Sequence, residues 1–271
     1  MTSVCIWKFI SPDREYICAV SDSRITSVSS SSTVHTDCAS KLIPLTVKFK
    51  TTDSDGCFTI TKYQFEFGFA MSGNVDVCFM THAALSGICS NIGLHGQFDP
   101  SLSKIANLAS HILEKYTKDY MKNKAGFPKC EISIFGCCPN SERLESYYIS
   151  NTQGGGGKAY VRRDMNPIFM GDGSETHRNK WNSLVEAGSS PGGNTPIIAL
   201  EEIISRESRK TVGGATQFVH CDKNGFHILQ TEFGAPIVGT QSYLGFDICG
   251  QIEPILGAVV AMDTILTKTT T

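Results

Sequence analysis

The recurrence of apolar and polar positions divides the chain into strand-like and helix-like blocks. TSVCIWKFI and EYICAVS flank SPDRE, whose Pro, Asp and charged residues suit a hairpin turn, so the two blocks read as paired strands buried on at least one face. The serine-rich stretch SSSSTVH then reads as a loop. Two more strands are expected at about 41–49 and 65–71, with TTDSDG near 51–56 as turn chemistry. In NVDVCFMTHAALSGICSN the apolar positions Val75, Phe79, Met80, Ala83, Ala84, Leu85 and Ile88 recur at helical spacing. In SLSKIANLASHILEKYTKDYM so do Leu102, Ile105, Leu108, Ile112, Leu113 and Tyr116, with Ser101 placed as N-cap.

Strand patterns return at about 130–138, 143–150 and 167–171. A second helix pair is expected near 174–187 and 195–209, the latter opened by Thr195 as cap and Pro196 at the first helical position. The last strands, about 214–221 and 225–231, are separated by the hairpin signal DKNG. The order is strands, two helices, strands, two helices, strands. That order predicts an α+β fold in which two antiparallel sheets are sandwiched between helix pairs, and it lacks the regular alternation of a doubly wound sheet. One domain over 1–271 is expected, with residues after about 232 read as an appended C-terminal segment.

Composition sharpens this picture. A chain of 271 residues with 41% apolar residues can build a sizeable core. A formal net charge of −2 without basic runs argues against nucleic acid or a polybasic membrane anchor as partner. No leader peptide opens the chain and no apolar run could span a bilayer, so a cytoplasmic protein with reduced thiols is expected. The 11 cysteines include no C-x-x-C pair, and His220-Cys221 stands without a second ligand pair at zinc spacing. No metal and no cofactor is expected, and most cysteines read as small buried hydrophobes.

Several motifs lose their chemistry on inspection. QGGGGKAY has Ala159 after Lys158 where a phosphate loop needs Ser or Thr, and reads as a turn between strands. GSSPG would make Ser190 a hydrolase nucleophile, but a helical pattern precedes it, and Pro191 has no N–H for an oxyanion hole. The seven histidines carry no HExxH-type spacing and read as surface or satisfied core residues.

Thr2 is different, because it stands at the head of a strand-like block where a free terminus would be expected to drift. A threonine at a chain terminus can be both nucleophile, through its hydroxyl, and base, through its α-amine. That amine titrates at about 7.7–8.0, close to working pH. Methionine aminopeptidase removes Met1 readily before so small a residue. Asp22 and Arg24 in SDSRIT and Lys41 in CASKLIPL could stand near it; a lysine paired with Asp22 would lower the pKa of hydroxyl and amine. Ser72 and Gly73 in GFAMSGNVD lie between a strand and a helix, where backbone N–H groups make an oxyanion donor.

Taken together, TSVCIWKF, AVSDSRIT, the lysine of SKLI, FAMSGNVD, the strand followed by GDGS, and VGGATQFVH resemble, in order and approximate spacing, proteasome β subunits and their bacterial relatives HslV and Anbu. The resemblance runs from Thr2 to about Gln230 and fits the stand-alone Anbu-like group better than the shorter HslV. It implies an N-terminal-nucleophile hydrolase of αββα architecture. Thr2 would be nucleophile and base, Asp22 and Lys41 the pair that tunes it, Ser72 or Gly73 the oxyanion donor, and Arg24 structural. Three positions depart from the pattern. Asp172 in GDGS replaces Ser or Gly and could supply a carboxylate; the family's late Asp and Ser fall opposite approximately Arg209 and Val212.

The resemblance therefore implies a threonine-type peptidase acting on peptides or unfolded protein and assembling with copies of itself into rings or open helical turns. Whether an ATP-dependent unfoldase delivers substrate is left open. Two rival readings follow from the departures: a proteasome-like scaffold without catalysis, and a related enzyme that hydrolyses a small amide or transfers its acyl group.

Overall fold

Strands rich in β-branched and aromatic residues, with small side chains between them, can be buried on both faces, and the first two blocks do this. The computed structural model describes residues 2–12, 14–28, 32–94, 100–124, 126–152, 157–164, 167–206, 210–229, 231–232, 241–244 and 246–247. In chain order the elements are β1 (Val4–Ile10), β2 (Glu15–Ser21), β3 (Ile25–Val28), β4 (Ser32–Thr36), β5 (Leu42–Thr52), β6 (Phe58–Gly73), α1 (Val75–Cys89), β7 (Ile92–Gly93) and α2 (Leu102–Asn123). There follow β8 (Cys130–Cys138), β9 (Arg143–Ser150), β10 (Tyr160–Asp164), β11 (Ile168–Met170), α3 (Ser174–Glu186), α4 (Thr195–Ser205), β12 (Gln217–Asp222) and β13 (Gly225–Leu229). The short strands β14 (Thr231–Glu232), β15 (Gln241–Tyr243) and β16 (Phe246–Asp247) form a small sheet of their own.

One main sheet has the order β11-β1-β2-β12-β13 and the other β10-β9-β8-β6-β5-β7, antiparallel apart from the short pairing of β5 with β7. Strand period two then sorts the side chains into three apolar layers. Val4, Ile6, Ile17, Ala19 and Val219 of the first sheet meet Leu42, Ala70 and Phe135 of the second between the sheets. On the outer face of the first sheet, Cys5, Trp7, Cys18 and Val20 meet Leu200 and Ile203 of α4. On the outer face of the second, Leu45, Val47, Phe67, Phe69 and Ile132 meet Val77 and Leu85 of α1 and Leu102 and Leu113 of α2. The result is the four-layer αββα sandwich expected from the element order.

Several local expectations need correction. In α1 the buried side chains are Val77, Cys78, Thr81, Leu85 and Cys89, whereas Phe79, Met80 and Ile88 are exposed. The helix is apolar around its circumference, so spacing alone fits more than one face, and the smaller side chains take the close approach to the sheet. Ser101 holds the N-cap position of α2 without capping through its side chain; the side-chain cap is Asn74 on α1, which accepts from Val77 N at 3.0 Å. Helix α4 begins one residue earlier than its Thr-Pro signal implied, with Asn194 as N-cap and Thr195 already helical. The serine-rich stretch is not all loop, because Ser32–Thr36 pairs with Ile25–Val28 in a two-stranded ribbon. Arg209, most of the run QGGGG and nearly all of the segment after 232 lie outside the described residues.

A buried histidine ties the first sheet to its helices. His177 of α3 is fully buried, with Nε2 2.8 Å from the Pro196 carbonyl and Nδ1 3.0 Å from Ser3 Oγ. A carbonyl can only accept, so Nε2 carries the proton and Nδ1 accepts from the Ser3 hydroxyl. Burial lowers the His177 pKa from 6.5 to about 4, partly opposed by the Pro196 bond. Between these values the unfolded chain binds a proton that the folded chain refuses, so the stability held above pH 6.5 is lost as pH falls toward 4. The loss should reach about 3 kcal/mol. In urea unfolding, the stability gap between the wild type and His177→Gln should therefore narrow across this interval; a gap independent of pH would contradict the assignment.

Candidate active site

The site begins at the end of β1, where the chain is pinned on every side. Ser3 N donates to Asp22 Oδ1 at 2.9 Å and Ser3 O accepts from Asp22 N at 3.3 Å. Thr2 O accepts from Gly173 N at 3.1 Å, so the GDGS turn clasps the residue from the other side. Gly171, with φ +86°, passes so close that a β-carbon on it would lie 2.1 Å from Thr2 O, and only glycine fits. Thr2 is 5% exposed, and its anchored position is thereby a built feature of the fold.

Asp22, Arg24 and Lys41 come together beside it. Lys41 Nζ donates to Asp22 Oδ1 at 2.9 Å and to the Arg24 carbonyl at 2.6 Å, with both ionic side chains almost wholly buried. Asp22 Oδ2 accepts from Gly213 N at 3.1 Å and from Arg24 N at 3.3 Å. Burial depresses the Lys41 pKa, while Asp22 and then Asp37 hold it up. An ammonium has three donors, and two are spent on these partners. The Arg24 guanidinium forks onto Asp37 at 2.6 and 3.2 Å.

Thr2, Lys41, Ser72 and Gly73 line one small, partly open hollow of about 10 Å³, walled by Ile25, Met71, Val75 and Cys78. Ser72 and Gly73 are the last residues of β6, and strand alternation distinguishes them. Met71 N donates to Lys41 O on the β5 side at 3.1 Å, and Asn74 N donates to Lys129 O on the β8 side at 2.7 Å. Alternation therefore aims the N–H of Ser72 at β8 and that of Gly73 past the start of β5, toward Lys41 and the hollow. Gly73, with φ +101°, passes 2.2 Å from Lys129 O at the position a β-carbon would take. Ser72 contributes its hydroxyl, which is buried without a hydrogen-bond partner among the described residues. The hydrogen bond with Cys130, together with burial, pushes the Cys78 thiol well up, so this wall residue stays protonated.

The remaining sequence candidates sit elsewhere. Asp172 is exposed on the GDGS turn and is not among the residues lining the hollow. Val212 is 1% exposed and packs in the helix-side core. Two supporting residues escaped the sequence reading. Glu131, paired in register with Ser72, accepts from Gly171 N at 2.7 Å and from the Tyr148 hydroxyl, linking the two sheets beneath the clasp. Gln217 accepts from Lys41 N at 3.0 Å through Oε1. Only the VGGATQ stretch hinted at Gln217; Glu131 is legible only from strand pairing.

The four-layer αββα sandwich is similar in fold to a group of solved structures. These are structures of Anbu, the ancestral beta-subunit. Anbu from Yersinia bercovieri superposes with a TM-score of 0.53 at 13% identity, over 84% of this chain and 86% of that one. The Gly-1 mutant of Anbu from Hyphomicrobium sp. strain MC1 does so with 0.54 at 9% identity, over 97% and 100%. The helical assembly of the Anbu complex from Pseudomonas aeruginosa gives 0.50 at 11% identity, over 80% of each. At such identities the likeness is one of fold. No protein-family model matches the chain, and no curated protein matches it. Among the described residues no helix is long and apolar enough to cross a membrane.

The ion pair yields an asymmetric prediction. Asp22→Ala strips Lys41 of its counter-charge and leaves three backbone donors unmatched, which should cost about 3–5 kcal/mol. Lys41→Met removes the ammonium but leaves Asp22 with three N–H donors, and should cost clearly less. Urea midpoints of the two variants test this ranking, and equal losses would contradict it.

Proposed function

We propose that this protein is an N-terminal-threonine amide hydrolase, a self-assembling proteasome-like peptidase. The observation that supports it best is the convergence of Thr2, Lys41 and the Gly73 N–H on one hollow, with Thr2 held from both sides. Removal of Met1 frees the Thr2 α-amine, which accepts the proton from Oγ1 as the hydroxyl attacks the scissile carbonyl. Lys41, fixed by Asp22, adds positive charge that favours the deprotonated hydroxyl. The Gly73 N–H donates to the oxyanion as it forms, and the Ser72 hydroxyl stands beside it. Collapse of the intermediate passes the proton to the leaving amine and leaves an ester on Thr2. Water, activated by the same amine, then releases the acid.

The walls formed by Ile25, Met71, Val75 and Cys78 suit a small apolar side chain on the acyl part of a peptide. The role of Asp172 as a substitute carboxylate loses support from its position outside the hollow; a contact with substrate at the rim is what remains for it. Self-assembly is supported by the Anbu structure described as a helical assembly. It is also supported by the exposed apolar side chains Phe79, Met80 and Ile88 on α1.

Thr2→Ala should lower peptide hydrolysis by about three orders of magnitude or more while leaving assembly, measured by light scattering, unchanged. In the wild type, intact mass spectrometry should find a species without Met1 that gains one adduct at Thr2 from an electrophile selective for N-terminal threonine. Retained turnover by Thr2→Ala, or a folded protein that keeps Met1 and takes no adduct, would turn the reading to a scaffold without catalysis.

A further inference from the structure

Far along the chain from the hollow's residues, the β12–β13 hairpin carries a second chemical cluster. The two-residue turn Lys223-Asn224 sets a register in which His220 faces His227 and Asp222 faces Gly225. Period two places Asp222 on the same face as His220, and cross-strand pairing places His227 there too. One ligand atom from each of the three lies within 4.8 Å of the others, and all three residues are half-buried. His227 Nε2 is 3.3 Å from Asp222 Oδ1, and the two imidazole rings lie 4.8 Å apart at an angle of 33°.

We propose that His220, Asp222 and His227 form a binding site for a divalent transition metal, with zinc as its natural occupant. Two imidazole nitrogens and one carboxylate oxygen are a donor set suited to Zn²⁺, whereas Mg²⁺ and Ca²⁺ prefer oxygen throughout. Ligands bonded at about 2.0–2.1 Å in a tetrahedron stand roughly 3.3 Å apart, so the Asp222–His227 edge already has the needed length. Side-chain rotation of His220 closes the other edges, and solvent completes the fourth position. The three side chains ride on paired strands, which restrains them better than a loop would. Tyr16 of β2 packs edge-on against His220 at 4.8 Å, and Asn224 donates to both Asp222 oxygens at 2.7 and 3.1 Å, orienting the carboxylate.

A plain hairpin turn accounts for Asp222 and Asn224 but not for two imidazoles on the same face. A metal ion uses all three and pins β13, the edge strand of its sheet. The spacing His-x-Asp-x4-His matches no linear zinc pattern because the hairpin, and not the sequence, brings its ends together.

Calorimetric titration of ZnCl₂ into the purified full-length protein, stripped with EDTA, tests the site. One saturable zinc per chain is expected, together with a rise in Tm that EDTA reverses and a tetrahedral visible spectrum when Co²⁺ replaces zinc. His227→Gln and Asp222→Asn should each weaken binding more than about tenfold; the Asn side chain retains an acceptor for the turn, so that variant keeps the hairpin. Cys38→Ser with Cys57→Ser, which removes the exposed thiols among the described residues, should leave binding unchanged. Absence of zinc binding by the folded wild type, or binding undiminished in a folded ligand variant, would overturn the site. Each outcome is independent of Thr2 chemistry.

Discussion

Everything at the candidate active site hangs on the carboxylate of Asp22. It is fully buried, and it accepts from Ser3 N, Arg24 N, Gly213 N and Lys41 Nζ. Four donors on one ion compensate a desolvation that would otherwise exclude a charge from this interior. They also come from four separate parts of the chain: the start of β1, the turn after β2, the approach to β5 and the loop before β12. A single electrostatic constraint thereby fixes the relative positions of the nucleophile candidate, its cationic neighbour and the TVGG stretch. Hydrophobic layers assemble the sandwich, but they are not directional, and this ion supplies the direction.

The strand ends that frame the hollow illustrate a second economy. The lysine belongs to the approach to β5, and the proposed oxyanion donor, Gly73, to the end of β6, its neighbour in the same sheet. Because β6 runs on past Leu42, the Gly73 N–H has no strand opposite it on the β5 side. An unpaired backbone donor is ordinarily a liability, and here it faces the space where an oxyanion would form. Catalytic potential of this kind needs no special residue beyond a glycine that tolerates the bend.

Much of this was legible in the chain. Strand periodicity, turn chemistry and the motifs around Thr2, Asp22, Lys41 and Ser72-Gly73 located the elements and named residues that the fold brings close together. What escaped reading has physical causes. Spacing did not single out the buried face of α1, because apolar side chains such as Phe79, Met80 and Ile88 also lie on its exposed side. Ser32–Thr36 reads as loop because its pairing with β3 is a tertiary fact that outweighs a serine-rich composition. Choosing Gly73 over Ser72 as N–H donor required the register of β6, and Glu131 and the His220–His227 pair required knowing which strands are neighbours. Sequence resolves what is local; cross-strand partners become visible only when the sheet is built.

The clasp around Thr2 carries an implication about timing. With Thr2 O bound to Gly173 N and Ser3 bridged to both Asp22 and His177, the first residues of β1 belong to the packed interior. The proposed mechanism needs a trimming enzyme to reach the chain end next to Thr2, a residue that docking of β1 buries. On the proposed mechanism, Met1 removal and folding would compete on the nascent chain, and the rate at which the first hairpin closes would set the interval in which the amine can be released.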